Sequence, residues 1–260
     1  MEPMLLNIHH GYNFRDLGGY PTTDGKRIQA RRLIRSGSLD RLSQRDIDFL
    51  HQYGVRVDVD FRTQDERSAK PDRLPGSARY VFDPVFSEDK TQVSKSWAEE
   101  QKAFALDGQA GYHNMLRTYR DIVLSDAAQK AYRQFFDLVL ANDKDALLFH
   151  CTAGKDRTGM GAVYLLSALG VDEATIRMDY LATNQYMEQA VAEVIAQAKQ
   201  AGGNANMLQG MHDIWVVYPE YLDAALAAIH ETYGSMQQYL SEALALSNRQ
   251  LTTLRELYLE

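Results

Sequence analysis

The only cysteine of the chain, Cys151, lies in the segment FHCTAGKDRTG at residues 149–159. Five residues separate it from Arg157, and Thr158 follows. A loop of this length that enters a helix can curl until its backbone N–H groups point into one concavity, with the positive end of the helix dipole behind them. Gly154 permits the positive φ that such a curl requires. The segment therefore predicts a site for a tetrahedral oxyanion, and the residues expected to line it are Thr152, Ala153, Gly154, Lys155 and Thr158.

The side chains around this loop are of the types needed to cleave a phosphate monoester. Arg157 can direct two N–H donors at two phosphate oxygens, which a lysine cannot do. At the base of the loop Cys151 is expected to be a thiolate, because comparable settings lower a cysteine pKa from about 8.5 to about 3.5–7.5. A thiolate beside a bound phosphate is placed for in-line attack on phosphorus. The Thr158 hydroxyl is placed to hydrogen-bond the sulfur, and His150 is expected to orient the loop rather than to act as a base.

Two simpler interpretations explain less of the segment. A lone cysteine is most often a buried structural residue, but that role does not account for the glycine and the charged residues at the same strand-to-helix junction. A Walker A loop would need a glycine where Phe149 stands and Ser or Thr where Asp156 stands. The oxyanion site is therefore the preferred interpretation.

The elements on either side of the loop are predicted from hydrophobic patterning. ALLF (146–149) follows a turn and predicts a buried central strand, and TGMGAVYLLSALG (158–170) predicts a buried helix. VRVDVDF (55–61) alternates, which predicts a strand with its valines and phenylalanine on one face in the core. Further strand candidates are RRLIRSGSLDRL (31–42) and RYVFDPV (79–85).

Helix signals dominate the rest of the chain. Ser43 with Asp46 forms a capping-box pattern, and a second such pattern occurs near the C-terminus, where Ser247 is followed by Gln250. The predicted helices are 43–54, 111–124, 126–141, 172–182, 184–200, 219–234 and 247 onward, while 87–110 reads as a loop or an inserted helix. Strands mixed with helices and then helices alone predict an α/β fold with a helical elaboration.

HCTAGKDRTG resembles the signature of the cysteine-dependent phosphatases, His-Cys-x5-Arg-(Ser/Thr), and more narrowly that of the bacterial atypical tyrosine phosphatases of the mycobacterial and Listeria type. The resemblance runs nearly end to end, and the matching segments are NFRDLGGY (13–20), RLIRSGSLDRL (32–42), DFRT (60–63) with Glu66, and EYLDAALAAIHETYGSMQQYL (220–240). It implies one phosphatase domain over residues 1–260, built on a central, mostly parallel, twisted sheet of about four or five strands flanked by helices. It also implies lid insertions near 87–125 and 183–215.

The resemblance implies roles for the loop residues. Cys151 would be the nucleophile, forming a cysteinyl-phosphate that water hydrolyses, and Arg157 would hold the phosphoryl group in both steps. Lys155 and Asp156 mark this branch and make it similar to lipid phosphatases with a basic loop. Lys155 could bind a second phosphate, as on an inositol ring, or it could simply be solvated or form a salt bridge.

The proton donor is less clearly indicated. An alkoxide or phenolate leaving group needs one at neutral pH, and the sequence contains no Trp-Pro-Asp tripeptide. The candidates are Asp156, Asp60 and Asp83; Asp156 is preferred because its position in the loop is fixed, although it could equally orient Arg157. Supporting positions, each equally suited to a structural ion pair, are Arg15, Asp16, Asp60 and Arg62.

Composition excludes several other classes. A net charge of −7 argues against a general nucleic-acid or anionic-membrane binder. No stretch suggests a signal peptide or a membrane span, and seven histidines without ligand spacing beside one cysteine predict no metal and no cofactor. The resemblance implies a phosphorylated protein or a phosphoinositide as substrate, and we expect a monomer, in the cytoplasm or exported without a recognisable signal peptide.

The predicted activity is hydrolysis of phosphate monoesters, with phosphotyrosine as the first substrate and phosphoserine, phosphothreonine and phosphoinositides as further ones. A rhodanese-like sulfurtransferase would also place a cysteine in a loop before a helix, but Arg157 with Thr158 and the N-terminal motifs argue against it. A phosphate-binding module without turnover would lack the cysteine or the arginine, and both are present.

Overall fold

The computed structural model describes residues 3–260, and these residues form six strands in one sheet. The strands are β1 (Met4–Leu5), β2 (Arg15–Asp16), β3 (Leu33–Ser36), β4 (Val55–Asp60), β5 (Arg79–Phe82) and β6 (Ala146–His150). Their order across the sheet is β1-β2-β3-β6-β4-β5. The pairs β3-β6, β6-β4 and β4-β5 are parallel, whereas β1-β2 and β2-β3 are antiparallel. The mostly parallel α/β sheet is confirmed, and two two-residue strands extend it at one edge.

Eleven helices flank the sheet within the same described range. They are α1 (Gln44–Tyr53), α2 (Gln64–Ala69), α3 (Trp97–Phe104), α4 (Ala110–Leu124), α5 (Asp126–Ala141), α6 (Arg157–Leu169), α7 (Glu173–Gln200), α8 (Ala205–Trp215), α9 (Pro219–Tyr233), α10 (Met236–Glu242) and α11 (Asn248–Tyr258). The capping boxes at Ser43 and Ser247 are confirmed. None of these helices combines the length and apolar character needed to cross a bilayer.

The prediction of separate helices at 172–182 and 184–200 is wrong, because α7 runs through both as one helix of 28 residues. The junction Ala182-Thr183-Asn184 contains neither glycine nor proline, so nothing in the backbone ends the helix there. Thr183 is buried and accepts a hydrogen bond from Arg15, and Asn184 bonds the backbone of Val217. Tertiary contacts thus continue the helix across a polar junction.

Both faces of the central strands are buried. Val57, Val59 and Phe61 join the larger apolar cluster with the aromatic residues of α5, as the alternation predicted. The prediction is wrong for Val55, which packs in the other apolar cluster because the strand register shifts between Val55 and Val57. On the opposite face, Leu148 of β6 packs with α1 in a second cluster. Asp58 and Asp60 of β4 also lie fully buried rather than in solvent. Parallel sheets covered on two sides bury such positions, and buried carboxylates must then find charged partners.

Candidate functional site

The loop from Cys151 to Asp156 connects β6 to α6 at the carboxyl end of the central strands. Its outer carbonyls are held by two side chains from the N-terminal motifs. Asn13 Nδ2 donates to the carbonyl oxygens of Ala153 at 3.2 Å and Gly154 at 2.8 Å. Arg35 Nη2 donates to the Gly154 oxygen at 2.9 Å. The carbonyls are therefore fixed from outside, which leaves the amide groups of the loop to form the concavity that the sequence predicts.

Position 154 imposes two conditions that only glycine, among the amino acids, satisfies together. Its φ is 68°, in the left-handed region, and a Cβ at this position would overlap the carbonyl group of Ser36. We expect Gly154→Ala to lower the free energy of unfolding by more than the about 1–2 kcal/mol that a left-handed alanine alone costs. Urea unfolding measures this directly.

Two other glycines separate the cost of the left-handed backbone from the cost of the steric overlap. Gly25 has a φ of 85° with nothing near its missing side chain, so Gly25→Ala should show the backbone penalty alone. The φ of Gly76 is not in the left-handed region, and a Cβ there would meet only open space, so Gly76→Ala should be neutral. A Gly154→Ala penalty no larger than that of Gly25→Ala would show that the close approach to Ser36 is unimportant.

Arg157, at the start of α6, is held in position by Glu66. The guanidinium donates to both carboxylate oxygens of Glu66, at 2.7 and 2.8 Å, and Thr152 Oγ1 donates to the same carboxylate. Glu66 also closes the capping box of α2 by accepting from the Thr63 amide at 2.8 Å. Burial opposes ionisation of Glu66, but the charge of Arg157 outweighs it and lowers the pKa of Glu66 to about 2. The arginine is therefore oriented by a rigid carboxylate 91 residues earlier in the chain.

Two polar atoms in the first two residues of α6 have no hydrogen-bond partner in the part of the chain that the structure describes: Arg157 Nε and Thr158 Oγ1. Both are buried, as is Cys151, which is 2% exposed. These are the two groups that the sequence assigns to the phosphoryl group and to the sulfur. Their arrangement fits a loop that binds an oxyanion between Cys151 and Arg157.

His150 lies directly behind the loop, as expected of an orienting residue. Its Nδ1 is 3.1 Å from the carbonyl oxygen of Cys151. Burial alone would lower the pKa of His150, but the carboxylates of Asp72, Asp60 and Asp58 raise that pKa well above its usual value. A protonated imidazole can thus donate from Nδ1 to the backbone of the cysteine.

Lys155 and Asp156 form a buried ion pair. The ammonium group of Lys155 is 2.8 and 2.6 Å from the two oxygens of Asp156, and Lys155 is fully buried. The Tyr119 hydroxyl donates to Asp156 Oδ1 at 2.8 Å, and the Tyr180 hydroxyl donates to that of Tyr119 at 2.8 Å. Of the two roles considered for Lys155, the salt bridge is the one present here. No sequence motif marks Tyr119 and Tyr180 as the residues whose hydroxyls lead to Asp156.

The supporting residues separate into three groups. Arg15 and Arg35 both pair with Asp179 of α7, at 2.8 and 2.5 Å, and the pKa of Asp179 falls to about 2 because these two charges outweigh its burial. Arg15 reaches the loop only through Asn13 and Asp179. Asp16 instead accepts from the amides of residues 18 and 31 and from the Tyr53 hydroxyl, so it fixes the turn after β2 rather than the site.

The third group lies at the ends of β4 and β5. Both oxygens of Asp60 accept from Arg62, and Tyr80 adds a third donor at 2.8 Å. Although burial opposes it, His150 and Arg62 hold the pKa of Asp60 well below its usual range. Asp83 differs, because burial raises its pKa to about 7 and its Oδ2 has no partner among the described residues.

A cleft of about 510 Å³ opens above Thr152 and Ala153. Part of its wall comes from the two segments predicted as lids, which contribute the apolar side chains of Val93, Trp97, Met187, Val194, Met211 and Trp215. Charged side chains of both signs line the same cleft: Asp40, Arg41, Lys70, Lys95, Glu100 and Glu193. Three other apolar residues of α7 and α8, Ile195, Met207 and Leu208, pack in the core.

Comparisons with known proteins agree with this geometry. A family model described as "Tyrosine phosphatase family" matches residues 6–260. A protein of Cupriavidus necator, provisionally named a tyrosine-protein phosphatase, is 34% identical over 248 residues, covering 92% of this chain and 84% of the relative. A tyrosine-protein phosphatase of Nostoc commune is 30% identical, covering 90% and 76%. The triple specificity protein phosphatase PtpB of Mycobacterium tuberculosis is 28% identical over 260 residues, covering 89% and 91%.

Proposed function

Since this chain belongs to the tyrosine phosphatase family, in its bacterial atypical branch, we propose that it hydrolyses phosphate monoesters through a cysteinyl-phosphate intermediate. The observation that carries the proposal is the loop itself. Cys151 and Arg157 stand at its two ends, and Arg157 Nε and Thr158 Oγ1 are buried without partners in the described chain.

The reaction has two displacements at phosphorus. In the first, the Cys151 thiolate attacks, the P–S bond forms, and the P–O bond breaks as the leaving oxygen takes the electron pair and a proton. In the second, water attacks phosphorus, loses a proton to a base and releases the thiolate, which the Thr158 hydroxyl stabilises. The amides of residues 152–156 and the guanidinium of Arg157 carry the phosphoryl charge in both steps.

Asp156 is the proposed proton donor and, in the second step, the base. Its position next to Arg157 is fixed by Lys155, and the hydrogen-bonded hydroxyls of Tyr119 and Tyr180 lead to its Oδ1. These hydrogen bonds hold the carboxylate in place, and the proton that it gives up in the first step returns to it from the attacking water in the second. Asp60 is a poor donor because its pKa lies well below the usual range.

Asp83 is a second candidate donor because of its pKa of about 7, which leaves much of it protonated at neutral pH. Asp83 and Arg157 both act electrostatically on the buried hydroxyl of Tyr132. This shared neighbour supports a position of the Asp83 carboxyl near the site.

The proposed first substrate is phosphotyrosine. The apolar walls of the cleft suit an aromatic ring, and its volume of about 510 Å³ is that of an ordinary small-molecule site. Phosphoserine, phosphothreonine and phosphoinositides remain proposed further substrates; the mycobacterial relative is named a triple specificity protein phosphatase. Because Lys155 is buried against Asp156, the cations offered to a second phosphate are the exposed Arg41, Lys70 and Lys95.

The test is hydrolysis of para-nitrophenyl phosphate with a chelator present, followed by a panel of phosphopeptides and phosphoinositides. Turnover that vanadate inhibits and that Cys151→Ser abolishes is the expected result. Phosphate binding without turnover would indicate a binding module, and sulfur transfer from thiosulfate to cyanide would indicate a rhodanese-like enzyme. Either outcome would contradict the proposal.

Glu66→Gln should lower kcat/KM for an aryl phosphate by about 10–100-fold, because a misplaced arginine loses its alignment with the phosphoryl oxygens. Glutamine retains the capping-box geometry at this position of α2, so the fold should be preserved. Asp65→Asn, at the exposed neighbouring position, is the matched control and should stay within about twofold of wild type. Equal kcat/KM for the two variants would show that Glu66 does not position Arg157.

A further inference from the structure

A group of buried ionisable residues lies at His150, the residue that precedes the phosphate loop. Asp58 of β4 and His150 of β6 lie on neighbouring strands, and Asp72 follows α2. His150 Nε2 is 3.5 Å from Asp58 Oδ1 and 3.4 Å from Asp72 Oδ2. One ligand atom from each of the three residues lies within 4.8 Å of the others.

Hydrogen bonds leave polar atoms of two of these three residues, Asp58 and His150, unsatisfied. Within residues 3–260, neither oxygen of Asp58 has a hydrogen-bond partner, and neither does His150 Nε2. The side chains of Asp58 and His150 are both fully buried. Unpartnered polar atoms at such depth are costly, and here they converge on one point.

The orientation of His150 is that of a metal ligand. Metal-binding histidines commonly donate their second ring N–H to a backbone carbonyl, which leaves the other nitrogen free for the ion. His150 Nδ1 is 3.1 Å from the Cys151 carbonyl oxygen, so Nε2 faces the two carboxylates. Asp72 is also oriented, since its Oδ1 accepts from the Leu39 amide at 2.8 Å and its Oδ2 contacts Arg62.

The separations also suit a tetrahedral ion. Ligand atoms at about 2.0–2.1 Å from zinc lie about 3.3–3.4 Å from one another, close to the two distances from His150 Nε2. Asp58, Asp60 and Asp72 carry three negative charges against the single positive charge of Arg62 when His150 is neutral. A divalent cation in place of the Nε2 proton would neutralise the group.

We propose that Asp58, Asp72 and His150 bind a divalent transition-metal ion, with Zn²⁺ as the best fit to two carboxylates and an imidazole. Water would complete the coordination, and the Nε2 proton of His150 would leave to solvent on binding. Asp72 lines a surface depression of about 360 Å³ with Arg67, Ser68 and Tyr80, which gives the ion a route from solvent. This site goes beyond the phosphatase activity and does not use Cys151.

The test is carried out on the Cys151→Ser protein, because the catalytic thiolate is the competing zinc ligand. Metal-free protein is titrated with Zn²⁺ against a metallochromic indicator, and the bound metal is examined by X-ray absorption spectroscopy in both this variant and wild type. We expect one zinc per chain in Cys151→Ser, with a first shell of nitrogen and oxygen only. Adding Asp58→Asn should weaken affinity by at least about 100-fold.

Asp65→Asn in the same background is the matched control and should bind zinc like its parent. Circular dichroism and urea unfolding verify that the Asp58→Asn variant folds. If that variant does not fold, the X-ray absorption spectra of Cys151→Ser still test the proposal. The proposal is overturned if Cys151→Ser binds no stoichiometric zinc, if its spectrum lacks an imidazole contribution, or if Asp58→Asn and Asp65→Asn leave affinity equally unchanged.

Discussion

Arg157→Lys should lower kcat/KM for aryl phosphates by about 1000-fold or more, although the charge is conserved. Arginine presents a planar fork that matches two phosphoryl oxygens, whereas lysine offers a single point charge on a flexible stem. Loss of one aligned donor in a transition state typically costs about 10²–10³-fold. Here the substitution also breaks the paired contacts with Glu66, at 2.7 and 2.8 Å, that hold the side chain in place.

Steady-state kinetics with para-nitrophenyl phosphate measure this loss, and vanadate inhibition should weaken in parallel. Arg41→Lys is the control, because Arg41 lines the cleft and contacts the Tyr12 hydroxyl at 2.7 Å without touching the loop. We expect less than a tenfold effect there. A loss below tenfold for Arg157→Lys would show that two-point recognition of the phosphoryl group is not required.

The second large effect concerns the proton donor. Asp156→Asn should lower kcat by about 10²–10⁴-fold for esters of poor leaving groups and much less for esters of acidic phenols. An amide cannot supply the proton, so the rate should come to depend steeply on the pKa of the leaving group. A series of aryl phosphates, with pre-steady-state measurement of phenol release, gives this dependence.

Asp83→Asn is the discriminating variant. If Asp83 donates the proton instead, the rate of the Asp83→Asn variant will depend steeply on the pKa of the leaving group. Wild-type activity will then fall as pH rises through about 7, where that carboxyl loses its proton. A uniform loss across leaving groups in Asp156→Asn would assign Asp156 to orientation of the loop, through Lys155 and Tyr119.

The sequence predicts best what depends on neighbouring residues. The strand, the loop with Gly154 and the helix that begins at Arg157 are encoded within one continuous segment, and each capping box within one helical turn. Each follows from backbone rules that act over short stretches of chain. The division of α7 into two helices fails for a related reason, because propensity is weak at Thr183 and distant contacts decide.

Partners that lie far apart in the chain could not be predicted from spacing. Glu66 contacts Arg157 across 91 positions, and Asp179 contacts Arg15 across 164. The alternation in β4 places Asp58 opposite the valines but does not reveal that this face is buried beside His150. Such ion pairs depend on which strands become neighbours, and that depends on the whole fold.

The most direct test of the proposed mechanism is to trap the intermediate. Wild-type protein mixed with an aryl phosphate is quenched in acid within its first turnovers, digested and examined by mass spectrometry. The mechanism predicts a phosphoryl group on the peptide that contains Cys151, absent in Cys151→Ser and increased in a variant slow in the second step. Turnover without any such adduct, or an adduct on another residue, would contradict it.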